Sequence, residues 1–538
     1  MLAFTSVSLS LQSLLIISSI SLLGVAILVP LFLFTVTSLK AHREHALLPA
    51  SLPFIGKRRS EILSSIRANI RGATVSAKLY MEAYTDYSLK GLVSIVPTWT
   101  KGPQVIIPPT MTNWLAHQPS HILNAKDCTF ESQQFQWTLQ HPEIQHNDMM
   151  DLMIKRDLAK SVGQLNDQIV DEINAAMDEL FGNDTEEWKE VGIWDSMIQL
   201  VARSANRVFI SDLCRNQEYL MSCVHWTQDI QVSAALLHMI PKFMKPYLAR
   251  LITYRNRKDT QMFMKHALPV VEQRIADMTR KLNDKNFDYE PPNELLTWLI
   301  RESFKRTTES ETSAESIAYR LLLLNYPAIS TSTIAASNAI LDVISTPPSD
   351  GILAALTEEA TRVCELHGNE WTKGAVHELI RMDSTLRESA RYSGIGGTGL
   401  ARRVKPSNGI SLPDGTWLPK GATIGVGQVG IHFDPDHYGE TADKFDAFRF
   451  SRPKEEGTAK VNEDFITTSE KYLAFSHGVH SCPGRFFAAN ELKLILAHLV
   501  MNYEIQPIET RPPNTPLGDV NIPPLKATMK IRRRVRKF

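Results

Sequence analysis

From Leu14 to Leu39 the chain runs LLIISSISLLGVAILVPLFLFTVTSL, 26 residues without a charge, and no Lys, Arg, Asp or Glu precedes Lys40. A bilayer core is spanned by about 20 mostly apolar helical residues, because a helix satisfies its own amides once water is gone. The run predicts a single transmembrane anchor over 14–39, with 1–13 lumenal, 40–60 a linker and 61–538 the main body. Pro30 bends such a helix without breaking it. A cleaved signal peptide has a basic start and a shorter apolar stretch, and this chain has neither. Lys40, Arg43, Lys57, Arg58 and Arg59 follow the run, so the positive-inside rule places the body in the cytoplasm. The sequon Asn183-Asp184-Thr185 then reads as a plain surface turn.

Within the body, Leu165, Ile169, Ile173 and Met177 typify apolar residues three and four apart, which predict helices over roughly 145–345. Val-, Ile- and Pro-rich 92–110 predicts one or two short strands, and turn-rich 394–430 predicts small hairpins. A helix returns around 485–503. A strand-like stretch then leads to Arg532-Arg533-Arg534, a basic end that reads as a solvated tail. No repeat or clean boundary divides the body, so one large, mainly α domain with small β-sheets is expected. Lys+Arg and Asp+Glu are equal at 58 each, which gives no charge argument for nucleic acid. Five scattered cysteines, never in a C-x-x-C pair, are no disulfide framework.

One cysteine stands apart. Cys482 precedes Pro483, Gly484 and a predicted helix start near Arg485, where exposed amides and the helix dipole stabilise a thiolate. Gly478 permits a close approach that a side chain would block. Phe475 offers a flat apolar shield for a sulfur ligand, and His480 a donor to a nearby anion. A zinc site from His477, His480 and Cys482 lacks the usual paired spacing and a fourth ligand. The other four cysteines read as small buried hydrophobes.

Phe475-Ser-His-Gly478-Val-His480-Ser-Cys482-Pro-Gly484 resembles the F-x-x-G-x-x-x-C-x-G haem-binding segment of the cytochrome P450 family, and Arg485 to Lys493 continues in the wording of fungal members. Glu388-Ser389-Ala390-Arg391 resembles the family's E-x-x-R element. Alone, an acid and a base three apart on a helix are uninformative; lying 94 residues before Cys482 (482 − 388), they fall in the expected order. Asp443 to Phe450, in which Phe445 is followed by Arg449-Phe450, is similar to the family's Phe…Arg-Phe segment. The resemblance implies a cytochrome P450 fold, mainly α with small sheets, preceded by the transmembrane helix. It implies haem b with Cys482 as axial iron ligand, and a structural charge network of Glu388, Arg391 and Arg449. His480 is the first candidate for the haem propionates, with Arg403, Lys155 and Arg156 behind it.

The resemblance also reaches the distal side. Leu321 to Thr333 is similar to the family's long distal helix, which puts Thr331 where oxygen protonation is handled. Ser330 stands where an acid or histidine is usual, and Pro327 is expected to interrupt the helix just before it. Weaker likeness to fungal gibberellin, ent-kaurene and indole-diterpene oxidases, in Pro53-Phe-Ile-Gly-Lys-Arg, Tyr84-Thr-Asp-Tyr and His432-Phe-Asp-Pro, implies a terpenoid or meroterpenoid substrate. The glycine-rich run Ile395 to Leu400 is expected to line the substrate pocket and leave room for a polycycle, and 228–250 to form an entry lip at the membrane. The chain lacks a glycine motif for flavin or nicotinamide. By analogy, electrons then come from a separate NADPH-cytochrome P450 reductase, with cytochrome b5 as accessory donor, at the endoplasmic reticulum membrane. The expected activity is a monooxygenase. The alternatives are a haem-thiolate isomerase or dehydratase working without oxygen, against which Thr331 speaks, and a non-catalytic haem binder.

Overall fold

The computed structural model describes residues 32, 34–58 and 60–535. Residues 14–31 and 33 of the expected anchor, and its lumenal flank, lie outside the described residues. Among those residues no single helix is long and apolar enough to cross a membrane.

The organising element is the 31-residue helix Ala314–Ile344. Its start is defined by Ser313, whose side chain accepts the Ser316 amide, a typical N-cap. Leu321, Leu322, Ile329, Leu341 and Ile344 along it are fully or almost fully buried, held between Ile193–Phe209, Gln217–Met239 and Tyr254–Asn283. The interruption expected at Pro327 does not occur, and the helix runs straight through it. A mid-helix proline forfeits one backbone bond at a cost of about 3 kcal/mol. Each leucine or isoleucine buried on the flanking turns returns about 1.5–3 kcal/mol, so packing wins.

Arg485–Asn502 is apolar nearly all round, buried at almost every position from Phe487 to Val500, as a helix enclosed by others must be. It packs on Asn166–Phe181, Ile352–Leu366, Ile380–Tyr392 and the central helix. Cys482 therefore sits just ahead of one of the best-anchored helices in the molecule.

The strands are short and peripheral. Ser94–Val96 and Gln104–Ile107 form the expected pair, joined by Thr423–Gly427, Thr398–Val404 and Leu123–Asn124 in a five-stranded sheet. Thr398–Val404 pairs antiparallel with Thr423–Gly427 but shifts register between Gly399 and Arg402. Lys189–Gly192, Thr528–Arg533 and Tyr503–Ile505 form a second sheet. The basic end is no solvated tail. Arg532 pairs with Glu504 at 2.7 Å, Arg533 with Asp178 at 2.6 Å, and Arg534 donates to the carbonyls of Val500 and Tyr503. Asn183-Asp184-Thr185 is the exposed turn expected, with Asp184 accepting the amides of Glu186 and Glu187.

Candidate active site

The Cys482 loop is closed by backbone geometry. The Cys482 amide donates to the Phe475 carbonyl at 2.8 Å, which folds the segment into a reversal. Gly478 sits at φ +75°, and a Cβ there would lie 2.5 Å from the Ala116 carbonyl oxygen and 2.8 Å from the Ala116 Cβ. Only glycine meets both conditions. Replacing it is expected to be costly: Gly478→Ala should lower stability by about 1–3 kcal/mol, read as a lower urea midpoint with unchanged slope. Arg485 Nη1 donates to the Cys482 carbonyl at 2.8 Å, tying the first helical turn back to the loop. The ring of Phe475 packs on Phe465, 4.9 Å between centroids. Burial pushes the Cys482 thiol up, while the Gly484 and Arg485 amides and the Arg485 charge pull the other way. A positive centre beside the sulfur would decide that contest in favour of the thiolate.

Behind the loop lies a buried charge network. Arg391 makes a two-pronged pair with Glu388, both bonds 2.7 Å, and neither side chain is exposed. Arg449 Nε donates to the same carboxylate at 3.1 Å. The remaining guanidinium hydrogens go to backbone: Arg391 to His432, Ala442 and Lys444, and Arg449 to Tyr438 and Thr441. The three residues brought together from sequence therefore act as a clamp on segment 432–449. His432 extends it. Its Nε2 accepts the Leu473 amide at 3.0 Å and its ring stacks on Tyr472. Burial, with the Arg391 charge, holds its pKa down to about 3, so it stays a neutral acceptor. No single feature of the sequence marked His432 for this role; only its place in His432-Phe-Asp-Pro drew notice.

On the central helix, Pro327 and Thr331 are exposed, and Ala335 half-buried, along one stripe of an otherwise buried stretch. Thr331 Oγ1 donates to the Pro327 carbonyl and Ser330 Oγ to the Tyr326 carbonyl, both at 2.7 Å. Each hydroxyl thus spends its hydrogen on its own helix and keeps lone pairs free to accept.

Sequence comparison decides the family. The cytochrome P450 family model matches residues 153–531, well over half of the chain. The chain belongs to the cytochrome P450 family. It is 30% identical to the cytochrome P450 monooxygenase gloP of Glarea lozoyensis, over 88% of this chain and 90% of that one. It is equally 30% identical to the monooxygenase polB of Polytolypa hystricis, over 90% and 94% of the two chains. The haem domain of cytochrome P450DA superposes with a TM-score of 0.64 at 12% identity, covering 90% of this chain and 98% of that one, a likeness of fold. This P450 is a monooxygenase, and its family implies a haem, a redox partner and a substrate.

The residues present fit such a group. Arg402 is buried, with Nε and Nη2 lacking any partner among the described residues, and burial holds its pKa down to about 10. An unpaired buried guanidinium is costly, and a haem carboxylate would complete it. Arg402 is also among the charges that, after burial, depress the pKa of His480; Lys155 is another. His480 Nε2 lies 3.1 Å from Ser120 Oγ, and Lys155 is exposed on the π-helical turn Ile154–Leu158. The buried, incompletely paired Arg402 is therefore the cation that would meet a haem carboxylate, with Lys155 and a neutral His480 acting on the same region. Arg403 lies elsewhere, its guanidinium beside the Gly421 turn, and Arg156 is taken by Asp157 and Glu302. The register shift between Gly399 and Arg402 explains the difference, because a bulge changes which of two neighbouring residues faces inward.

The glycine run serves packing more than room. A Cβ at Gly397 would strike the Tyr80 ring at 2.3 Å, one at Gly399 would meet Leu473 at 3.0 Å, and one at Gly394 the Ala390 carbonyl at 2.8 Å. Only Gly396 is unobstructed within 3.5 Å.

Proposed function

We propose that this P450 is a membrane-anchored haem b monooxygenase of fungal secondary metabolism. Cys482 is its axial iron ligand, and it hydroxylates, or oxidises in several steps, a hydrophobic terpenoid or meroterpenoid. The observation that carries the reading is the Cys482 loop, with a sulfur facing two helix-initial amides and a glycine no other residue can replace. The bound haem supplies oxygen activation, which a thiolate ligand favours by pushing electron density onto iron. Every other task falls to side chains. Arg402 meets a propionate, with Lys155 and a neutral His480 acting on the same region, while Glu388, Arg391, Arg449 and His432 hold the loop in place. Thr331 accepts and passes a proton on the distal face, the role for which a hydroxyl with free lone pairs is suited.

Two surfaces support the wider reading. Val232, Leu236, Met239, Phe243, Tyr247 and Leu251 form an exposed apolar stripe, and Lys40 of the first described helix donates to the His238 carbonyl beside it. An apolar stripe next to the chain's entry from an anchor is what insertion into the cytoplasmic leaflet of the endoplasmic reticulum needs. On the side of the Arg485–Asn502 helix a depression of about 550 Å³ is lined by Lys373, Lys460 and Phe486, with Lys454 paired to Asp464 and Lys493 to Asp383 on its wall. Its charge and exposed ring suit an acidic electron donor, namely NADPH-cytochrome P450 reductase or cytochrome b5.

Microsomes containing the enzyme and reductase are expected to oxidise a member of a panel of polycyclic terpenoids only when NADPH and oxygen are both present. Turnover without either would establish the isomerase or dehydratase alternative. Thr331→Ala is expected to keep NADPH consumption and lower product per NADPH by about 10-fold or more, with hydrogen peroxide rising. Unchanged coupling would remove Thr331 from the mechanism.

A further inference from the structure

Thr515–Leu517 and Val520–Ile522 form a two-stranded sheet of their own, joined outward by one bridge from Val520 to Gly396. Two paired strands alone are marginally stable in water, so what holds this hairpin lies outside it. Just ahead of it, Arg511 bonds Asn338 and Asp342 of the central helix at 2.9 and 2.5 Å. At its turn, Asp519 pairs with Lys101 and accepts from Thr100 Oγ1 at 3.3 Å. Lys101 lies between the strands Ser94–Val96 and Gln104–Ile107. Its side chain is 19% exposed and that of Asp519 6%, so water competes little for either charge, and each depends on the other.

The hairpin in turn carries the segment that follows the helix of Glu388 and Arg391. The Asn521 amide donates to the Ile395 carbonyl at 2.6 Å, and the Gly397 amide to the Asp519 carbonyl at 3.2 Å. That segment begins at Ser393, whose carbonyl accepts from Asn338 of the central helix at 2.8 Å. It ends in Thr398–Val404, the strand that bears Arg402. It therefore runs from the helix of Thr331 to the cation that would meet a haem carboxylate. Ser393 and Gly397 are buried, whereas Gly394, Ile395 and Gly396 between them are half-buried. A stretch fixed at both ends thus presents an open side, and a Cβ at Gly396 would meet nothing nearer than the Asp519 carbonyl, at 3.5 Å.

We propose that Lys101 and Asp519 are positioning residues for the substrate. Through the hairpin their pair sets where Ile395 and Gly396 stand beside the reaction site, and so which carbon of the substrate is oxidised. The proposal rests on the monooxygenase reading given above and deepens it. Neither residue touches the substrate; each acts through the backbone of the hairpin and of segment 393–397. A displacement of about 1 Å at that distance from the chemistry can change a rate by about 100-fold. Competing oxidation sites on one polycycle would feel such a displacement unequally.

The holoenzyme tests this with Lys101→Met combined with Asp519→Asn, which removes both charges, strands neither and leaves Thr100 an acceptor. Amide hydrogen exchange at Gly397 and Asn521 is expected to rise about 10-fold or more. Azole ligands then gauge the pocket without any substrate. Imidazole should bind the haem as in the parent, within about 2-fold, whereas the bulkier 4-phenylimidazole should change affinity by about 5-fold or more. With a polycyclic terpenoid that the parent oxidises, the ratio of oxidation products should change by a similar factor, while the reduced carbon-monoxide spectrum stays as it was. A purely structural role would move both azoles together and leave the product ratio alone. Faster exchange without the azole split, or the split with an unchanged product ratio, overturns the proposal. So does unchanged exchange, since the pair would then not hold the hairpin. Should the double variant fail to fold, Lys101→Gln, which keeps a donor for Asp519, must give the same azole split at about 2-fold or more. A parent that oxidises no terpenoid sinks the substrate reading, and the azole split alone then decides the role of the pair.

Discussion

Cys482→Ser is expected to abolish product formation and the long-wavelength Soret band that a thiolate-ligated haem gives with carbon monoxide after reduction. The loop itself should survive. It is shaped by the Cys482 amide on the Phe475 carbonyl and by Arg485 on the Cys482 carbonyl, bonds that a serine backbone retains, so stability should change by no more than about 1 kcal/mol. What is lost is the anionic sulfur, because a serine hydroxyl does not ionise near neutrality and donates far less charge to iron. A variant that still gives the thiolate band would refute Cys482 as the ligand. A variant that merely unfolds would show up as a shifted urea midpoint.

The second large effect is structural. Glu388→Ala removes the partner of Arg391, whose side chain has no exposure, and of Arg449. Breaking a buried pair strands a charge and costs about 3–5 kcal/mol, here with the clamp on 432–449 as well. The expected result is a lower urea midpoint and loss of haem on gel filtration, with little effect on the chemistry of whatever fraction stays folded. Glu388→Gln should fall between the two, since an amide oxygen still accepts from Arg391 but carries no charge. If Glu388→Ala retained both stability and haem, the network would not be what holds the site.

Residues that act through their own chemistry were legible in the sequence. Gly478 is one, because its backbone angle and the Ala116 contact allow no other residue. Glu388, Arg391 and Arg449 are others, since the family resemblance implies their network and they converge in space. What could not be read depends on long-range placement. Pro327 predicts an interruption by local propensity, yet the helices packed around it keep the turn intact. Arg402 and Arg403 are adjacent and chemically identical, and a register shift outside both of them selects which one is buried. Gly397 and Gly399 looked like space for a substrate, whereas Tyr80 and Leu473 occupy that space. His432 gains its role from an amide 41 residues away in sequence, and the arginines at the end gain theirs from acids and carbonyls on other elements.

The clamp on the Cys482 loop has a temporal consequence. Its members run from Glu388 to Leu473 and act through bonds of moderate sequence separation, so this part can assemble as a local unit soon after synthesis. The helix that follows Cys482, however, packs on Asn166–Phe181 and on Ala314–Ile344, contacts that span hundreds of residues and form late. A loop held from both sides is complete only once that helix is in place, so haem retention should report on long-range packing as well as on the clamp.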